Sequence, residues 1–381
     1  MLYFDNAATT KPFPSVTADI MQCLMFDWFN PSSVYEEGKK AKRIVETARK
    51  QTAEAINALP EEIIFTSGGS ESNNLALKGY VENNDVDLIL TTKIEHPSVY
   101  NTCKYLQSNG TRVIYIPVNP NGIIDMEYFE HMVIVHGNTN FIVSIMFANN
   151  EIGTIQPIKE IGEIVHKYNG ILHVDAVQAF LHINIDVKAL GIDMMSVSGH
   201  KFGCPKGVGF LYKKKDIELS PIIHGGHQEN DMRAGTENVP YIYAMGNQIE
   251  KMSKKNLSEY DLMGAYLRGL IQEYCSPTCE IVLNGSVEPE ECLWNILSVT
   301  FKGIDADTLI TMLNDRGVCI SAGSACCAGE KTPSRVLKAI GLSDIDASHT
   351  VRISLSWDTT VSDCMEFVEK LRDCINFLSV T

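Results

Sequence analysis

Between residues 62 and 212 the sequence alternates short apolar runs with longer amphipathic stretches, and few folds accept that order. The apolar runs at 62–66, 87–92, 112–116, 140–146, 171–174, 194–197 and 208–212 are strand candidates. The stretches at 35–58, 70–82, 97–108, 125–136, 158–168 and 186–190 are helix candidates. Strands separated by helices predict an α/β fold whose mostly parallel sheet is covered on both faces. Residues 240–274 are long, polar and helical in period, and have the character of a connector. Beyond them, strand candidates at 281–283, 296–301, 318–321 and 351–355 alternate with helix candidates at 305–315, 333–340 and 362–378. This part is expected to form a smaller α+β domain.

The chain has 381 residues, 45% of them hydrophobic, enough for a large core and two domains. Its net charge of −15 argues against binding nucleic acid or anionic membranes, which requires Lys/Arg patches. No apolar run approaches the roughly 18 residues that span a bilayer. Met1-Leu2-Tyr3-Phe4-Asp5 has no basic segment leading into an apolar one, so a cytoplasmic location is expected. The eleven cysteines are then expected to be thiols rather than disulfides.

Ser198-Gly199-His200-Lys201 follows the strand candidate at 194–197, and Asp175 ends the one at 171–174. Ligands of open α/β sheets bind at the carboxyl ends of the strands. A desolvated lysine there is a candidate Schiff-base nucleophile. Pyridoxal chemistry needs that amine together with a carboxylate for the ring nitrogen. By itself Lys201 could equally be an exposed residue of a glycine-rich turn, and Asp175 a helix cap. Thr66-Ser67-Gly68-Gly69-Ser70 leads from a strand into a helix and offers backbone N–H groups to an anion such as a phosphate. His96, Asn149-Asn150-Glu151 and Gln178 also follow strand ends, and His96 could stack on a flat ring.

A second feature is Ser321-Ala322-Gly323-Ser324-Ala325-Cys326-Cys327-Ala328-Gly329-Glu330. Its small residues permit mobility and offer a thiol on a tether, which suits a nucleophile that visits a substrate and turns away. A metal site with Cys319 is not expected, because adjacent cysteines are poor partners for one ion and no His or Cys-x-x-Cys companion is near.

Together these segments resemble the cysteine desulfurases of pyridoxal-phosphate fold type I, within the class-V aminotransferase family. The resemblance runs from Tyr3-Phe4-Asp5-Asn6-Ala7-Ala8-Thr9-Thr10 to Val351-Arg352-Ile353-Ser354-Leu355. It includes Asn30-Pro31-Ser32-Ser33, Glu95-His96, Asn149-Asn150-Glu151-Ile152-Gly153, Asp175-Ala176-Val177-Gln178, Gly225-Gly226-His227-Gln228-Glu229 and Arg233-Ala234-Gly235-Thr236. It implies a large domain over 13–250 with a mostly parallel seven-stranded sheet. A small domain over 1–12 and 251–381 would carry the thiol loop.

The resemblance also implies the roles of the residues. Lys201 would hold pyridoxal 5'-phosphate, His96 would stack on its ring, and Asp175 would pair with the ring nitrogen. Gln178 and Asn150 would address the phenolic oxygen side. Gly69, Ser70, Ser198 and His200 would hold the phosphate, and Thr236 of a neighbouring subunit would complete that site, which implies a homodimer. Arg352 with Asn30 would bind the carboxylate of L-cysteine. Cys326 would take the sulfur as a persulfide, lowered pKa favouring its thiolate, and pass it to an acceptor of unknown identity.

The chain departs from the usual pattern after Cys326, where Cys327-Ala328-Gly329-Glu330 replaces Thr and Ser residues, and at Lys331-Thr332-Pro333-Ser334. Ser70 stands where Thr is usual, and the tail that docks an iron–sulfur scaffold is short. Rival readings are a selenocysteine lyase or another enzyme of the same fold, and a sulfur-carrier or assembly protein without catalysis. A thiol loop argues against simple transamination, and Lys201, Asp175, His96 and Arg352 argue against a vestigial site.

Overall fold

The computed structural model describes residues 1–255, 258–322 and 333–379. In chain order the elements begin with β1 (Leu2–Tyr3), α1 (Pro14–Phe26), α2 (Glu36–Glu54), β2 (Ile63–Thr66), α3 (Gly69–Asn83), β3 (Leu88–Thr92) and α4 (Pro97–Ser108). Next come β4 (Arg112–Ile116), α5 (Met126–His136), β5 (Phe141–Met146), α6 (Ile158–Lys167), β6 (Ile171–Asp175), β7 (Met194–Ser198) and β8 (Gly209–Lys213). Two helices follow, α7 (Val239–Met252) and α8 (Ser258–Cys275), where the sequence suggests a connector. The remainder is β9 (Ile281–Asn284), β10 (Ile296–Phe301), α9 (Ala306–Asp315), β11 (Val318–Cys319), β12 (Ser321–Ala322), α10 (Arg335–Ala339), α11 (Asp344–Ser348), β13 (Thr350–Ser354) and α12 (Val361–Leu378).

The central sheet has seven strands in the order β2-β8-β7-β6-β5-β3-β4. Strands β3 to β7 pair in parallel, and only β8 runs against its neighbours. β5 shows why such a sheet needs cover on two sides. All six of its residues, Phe-Ile-Val-Ser-Ile-Met, are buried. Val143 faces a core shared with Val45, Phe65 and Met245, while Ile142 faces the core of Leu75, Val99 and Leu211. On α2 the buried Ala41, Val45, Ala48 and Thr52 recur at helical spacing, and this stripe packs on α7. A separate core joins Leu267, Val299, Leu309, Val351 and Phe367 around an antiparallel sheet ordered β12-β13-β10-β9.

Three local expectations are corrected. Residues 186–190 form a turn rather than a helix, because the Asp186 carboxylate accepts from the backbone N–H groups of Lys188 and Ala189. Helix α1 has no counterpart among the candidates, because its Met21, Leu24, Met25 and Phe26 are exposed and obscure the helical period. The single strand expected at 318–321 is two strands with different partners, β11 on β1 and β12 on β13. That first pairing ties the N-terminus to the far end of the chain. No described helix is long and apolar enough to cross a membrane.

Candidate active site

Five chain segments converge at one edge of the large sheet. Parallel pairing sets Met146 beside Asp175, and Asp175 beside Ser196. Through antiparallel β8, Ser198 and Thr66 both face Gly209, so β2 and β7 end at the same edge. The residues following these strand ends line a cavity of about 460 Å³, within the usual span for small-molecule sites. Of the residues singled out in the sequence, Gly69, Ser70, His96, Asn150, Asp175, Gln178, Ser198, His200, Lys201 and Arg352 line it.

Lys201 ends a short 3-10 turn at Gly199–Lys201, directly after β7. Its Nζ donates to the carbonyl oxygens of Ala7 at 2.6 Å and Ala8 at 2.9 Å. Gln178 donates to the same Ala7 oxygen at 3.0 Å. The buried Asp175 accepts from Asn73 Nδ2 at 2.8 Å on one oxygen and from the Val177 N–H at 3.0 Å on the other. These donors fix the plane of its carboxylate toward the cavity.

Helix α3 begins at Gly69, and its cap, Gly68, has φ 146°, a conformation that favours glycine. A Cβ on Gly69 would sit 2.6 Å from Val177 Cγ2. The helix end therefore lies bare against the sheet, with Ser70 exposed and Ser198 buried beside it. His200 is held near Thr9 at 3.2 Å, and burial, with Lys201 and Lys206 adding, pushes its imidazole down to about 3. His200 is therefore neutral.

His96 caps α4, accepting the Ser98 N–H on Nδ1, with Pro97 at the first helical position. Burial lowers the pKa of its ring; Asp175 opposes this, while Lys201 and Arg335 reinforce it.

The opposite wall comes from β13. Arg352 is 2% exposed and still lines the cavity. One Nη donates to Asp5 at 2.7 Å and the other to the Asn150 carbonyl at 2.9 Å, while its buried Nε has no partner among the described residues. Glu151 also lines the cavity; burial pushes its carboxyl up to about 7, and it accepts from Ser334 at 2.5 Å.

Not every expected residue arrives here. Asn30 and Thr236 are exposed and line no part of this cavity in their own chain. Asn149 is fully buried and shapes the turn instead, its oxygen accepting from the Glu151 and Ile152 N–H groups. Cys326 and Cys327 lie outside the described residues. Three participants escaped the sequence reading: Asn73, Ser98 and the Ala7–Ala8 backbone. Asn73 alone carried a signal, a polar residue at a buried position just ahead of the apolar Leu75–Leu77 run.

The sequence profile of the aminotransferase class-V family matches residues 2–367. A cysteine desulfurase IscS of Clostridium botulinum is 40% identical over 373 residues, 97% of this chain and 93% of the relative. One of Methanosarcina thermophila is 40% identical over 381 residues, 98% and 93% of the two chains. Among solved structures, a NifS-like protein superposes with a TM-score of 0.91 at 35% identity, covering 99% of both chains. A NifS-like protein from Rickettsia africae gives 0.87 at 34% identity over 98% and 99%. A structure described as SspA in complex with cysteine gives 0.82 at 36% identity over 93% of this chain and 99% of that one. By sequence and by fold, over nearly all of its length, the chain belongs to the class-V aminotransferase family.

Proposed function

We propose that this chain is a pyridoxal-phosphate-dependent cysteine desulfurase, releasing L-alanine from L-cysteine and passing the sulfur to Cys326. The observation that carries the reading is the meeting of Lys201, Asp175 and the bare start of α3 at one sheet edge, opposite Arg352. The residues fit the cofactor by size and chemistry. Gly68 and Gly69 let the start of α3 approach Val177 and Ser198 more closely than a residue with a Cβ could, which brings its N–H groups, suited to a phosphate, to the cavity. The oriented Asp175 carboxylate suits a protonated ring nitrogen. When bound, pyridoxal phosphate supplies an aldehyde for an amine and a ring that accepts electrons from the substrate.

The chain's own residues do the rest. Lys201, on its short turn, would hold the cofactor through its amine. Arg352 lines the cavity, its Nε has no partner among the described residues, and its planar guanidinium would bind a carboxylate at two oxygens. His96, which lines the same cavity, would cover the ring. In the net reaction the C–S bond of cysteine breaks with its electron pair left on carbon, a proton replaces sulfur there, and sulfur joins the Cys326 thiol as a persulfide.

A second copy of the chain completes the assignment. Exposed Thr236 and Asn30 would serve the partner's cavity. The exposed apolar set Met21, Leu24, Met25, Phe26 and Trp28 beside Asn30 supports a homodimer contact there. We divide the chain at 13–250 and 1–12 with 251–381, because β1 pairs with β11 and joins the smaller core.

Incubation of the reconstituted protein with L-cysteine, with alanine measured and the persulfide mapped by mass spectrometry, tests the reading. Equimolar alanine and a persulfide on Cys326 are expected. Cys326→Ala is expected to stop sulfur transfer while leaving cofactor binding intact. A protein that stays colourless after reconstitution would end the proposal, and loss of transfer in Cys327→Ala alone would move the thiol by one residue.

A further inference from the structure

Four side chains that line the cavity form one line of hydrogen bonds: Asp175, Asn73, Ser98 and His96. Each joint is determined by what its neighbour can do. The Asp175 carboxylate only accepts, so Asn73 must present its NH₂ group, and does so at 2.8 Å. The second hydrogen of that NH₂ goes to Ser98 Oγ, also at 2.8 Å. Ser98 Oγ therefore accepts from Asn73, and its own hydrogen points to His96 Nδ1 at 2.7 Å. The Ser98 backbone N–H reaches the same nitrogen at 3.2 Å. Two donors thus face Nδ1, and the backbone donor cannot rotate away. Asn73 Oδ1 is left buried and without a partner among the described residues, so the amide orientation is dictated by its NH₂ side.

We infer that Asn73 and Ser98 are positioning residues that hold His96 as a neutral ring with its proton on Nε2. In that state the ring offers an N–H away from the helix, and Nε2 has no lone pair with which to accept a proton. Use of His96 as a base would require moving the proton to Nδ1, where the first turn of α4 opposes it. A helix N-terminus disfavours an imidazolium for the same reason. The charged and titratable groups around the ring are Asp175 at the end of β6, His200 and Lys201 after β7, Arg335 on α10 and the preceding residue, Glu95. Of the groups acting on its charge, Asp175 alone favours the charged ring; burial, Lys201 and Arg335 oppose it. The tautomer is a property of the protein alone, while its use in turnover rests on the desulfurase reading.

The test is nitrogen NMR of the cofactor-loaded protein labelled with ¹⁵N-histidine, the His96 signals being identified by their loss in His96→Gln. Wild type is expected to show an unprotonated Nδ1 and a protonated Nε2. Ser98→Ala removes one donor and is expected to raise the His96 titration midpoint by roughly one pH unit. Asn73→Ala frees the Ser98 hydroxyl to turn and is expected to raise it by less. Ser98→Thr keeps the hydroxyl and should restore the wild-type midpoint. The acid limb of kcat/KM for alanine formation should move with the NMR midpoint in each variant. A protonated Nδ1 in wild type overturns the inference, as does an unchanged midpoint in folded, cofactor-loaded Ser98→Ala and Asn73→Ala. If wild type shows the expected tautomer and yields no alanine, the desulfurase reading fails and the tautomer stands.

Discussion

The cavity wall made by the large sheet and the wall made by Arg352 are built by opposite routes. On the sheet side, each functional group lies within a few residues of its own strand end: Asp175 ends β6, Lys201 comes three residues after β7, and His96 four after β3. Arg352 instead takes its partner from Asp5, 347 residues away in sequence. The N-terminal segment is sewn to the same strand by Ala7 N–H to Ser354 Oγ at 2.8 Å and Ser354 N–H to the Phe4 carbonyl at 2.7 Å. The same segment then supplies the carbonyls that receive Lys201. The sheet-side wall is thus fixed once the sheet forms, whereas the other depends on closure of the chain's two ends. Cofactor binding and substrate binding should therefore be separable by substitution.

The largest expected effect is on the sheet side. Lys201→Ala is expected to lower alanine formation by about 10³-fold or more, and to remove the visible absorbance of the covalently held cofactor. Arg352→Lys tests the other wall. It keeps the charge that Asp5 requires and loses the fork, so kcat/KM should fall by about 10²-fold, mainly through KM, with the absorbance unchanged. If Arg352→Lys also released the cofactor, the two walls would not be separable. Gly69→Ala brings a Cβ to 2.6 Å from Val177 Cγ2 at the end of the cavity proposed for the phosphate. The side chain must shift, and the cofactor dissociation constant should rise about tenfold with little change in KM for L-cysteine.

The same contrast explains what could be read from the sequence. Strand ends and the residues after them are local, so the Lys201 and Asp175 pair, the glycine turn and the seven strands were legible from apolar runs and small-residue motifs. Arg352 was legible only through resemblance, because nothing near it in sequence marks a buried guanidinium. The Ala7–Ala8 carbonyls could not be found, since backbone acceptors have no residue signature. Helix α1 was missed for a different reason. Its Met21, Leu24, Met25 and Phe26 are exposed, and period analysis assumes that apolar residues point in. Ser98 looked like an ordinary residue of a first helical turn, and only the Asn73 amide behind it gives its hydroxyl a direction.

The smallest expected effect concerns the place where the two walls are joined. Helix α10 touches both: Ser334 donates to Glu151 beside Asn150, and Arg335 donates to the backbone carbonyls of Lys93 and Glu95. Both carboxyls are buried. Burial pushes Glu95 up to about 8, against a hydrogen bond from Thr92, and its Oε2 has no partner among the described residues. Glu151 is pushed up to about 7, less far because Ser334, Arg352 and Arg335 all favour its charge. A folded pKa above the unfolded one means that the folded protein binds the proton more tightly. The resulting stability is fully present below the ordinary carboxylate value of 4.5 and is lost as pH rises through 7 to 8. Glu95→Gln removes the charge that must be buried at high pH, and should flatten the fall by about 1–3 kcal/mol. Glu151→Gln should do the same by less, and over the lower part of the window. Urea unfolding of the cofactor-loaded protein between pH 5 and pH 8.5 measures both. Equal flattening by the two variants would mean that the walls bury charge alike, and that the charge of Arg352, which acts on Glu151 alone of the two, does not distinguish the side of the cavity closed by the chain ends from the side formed by the sheet.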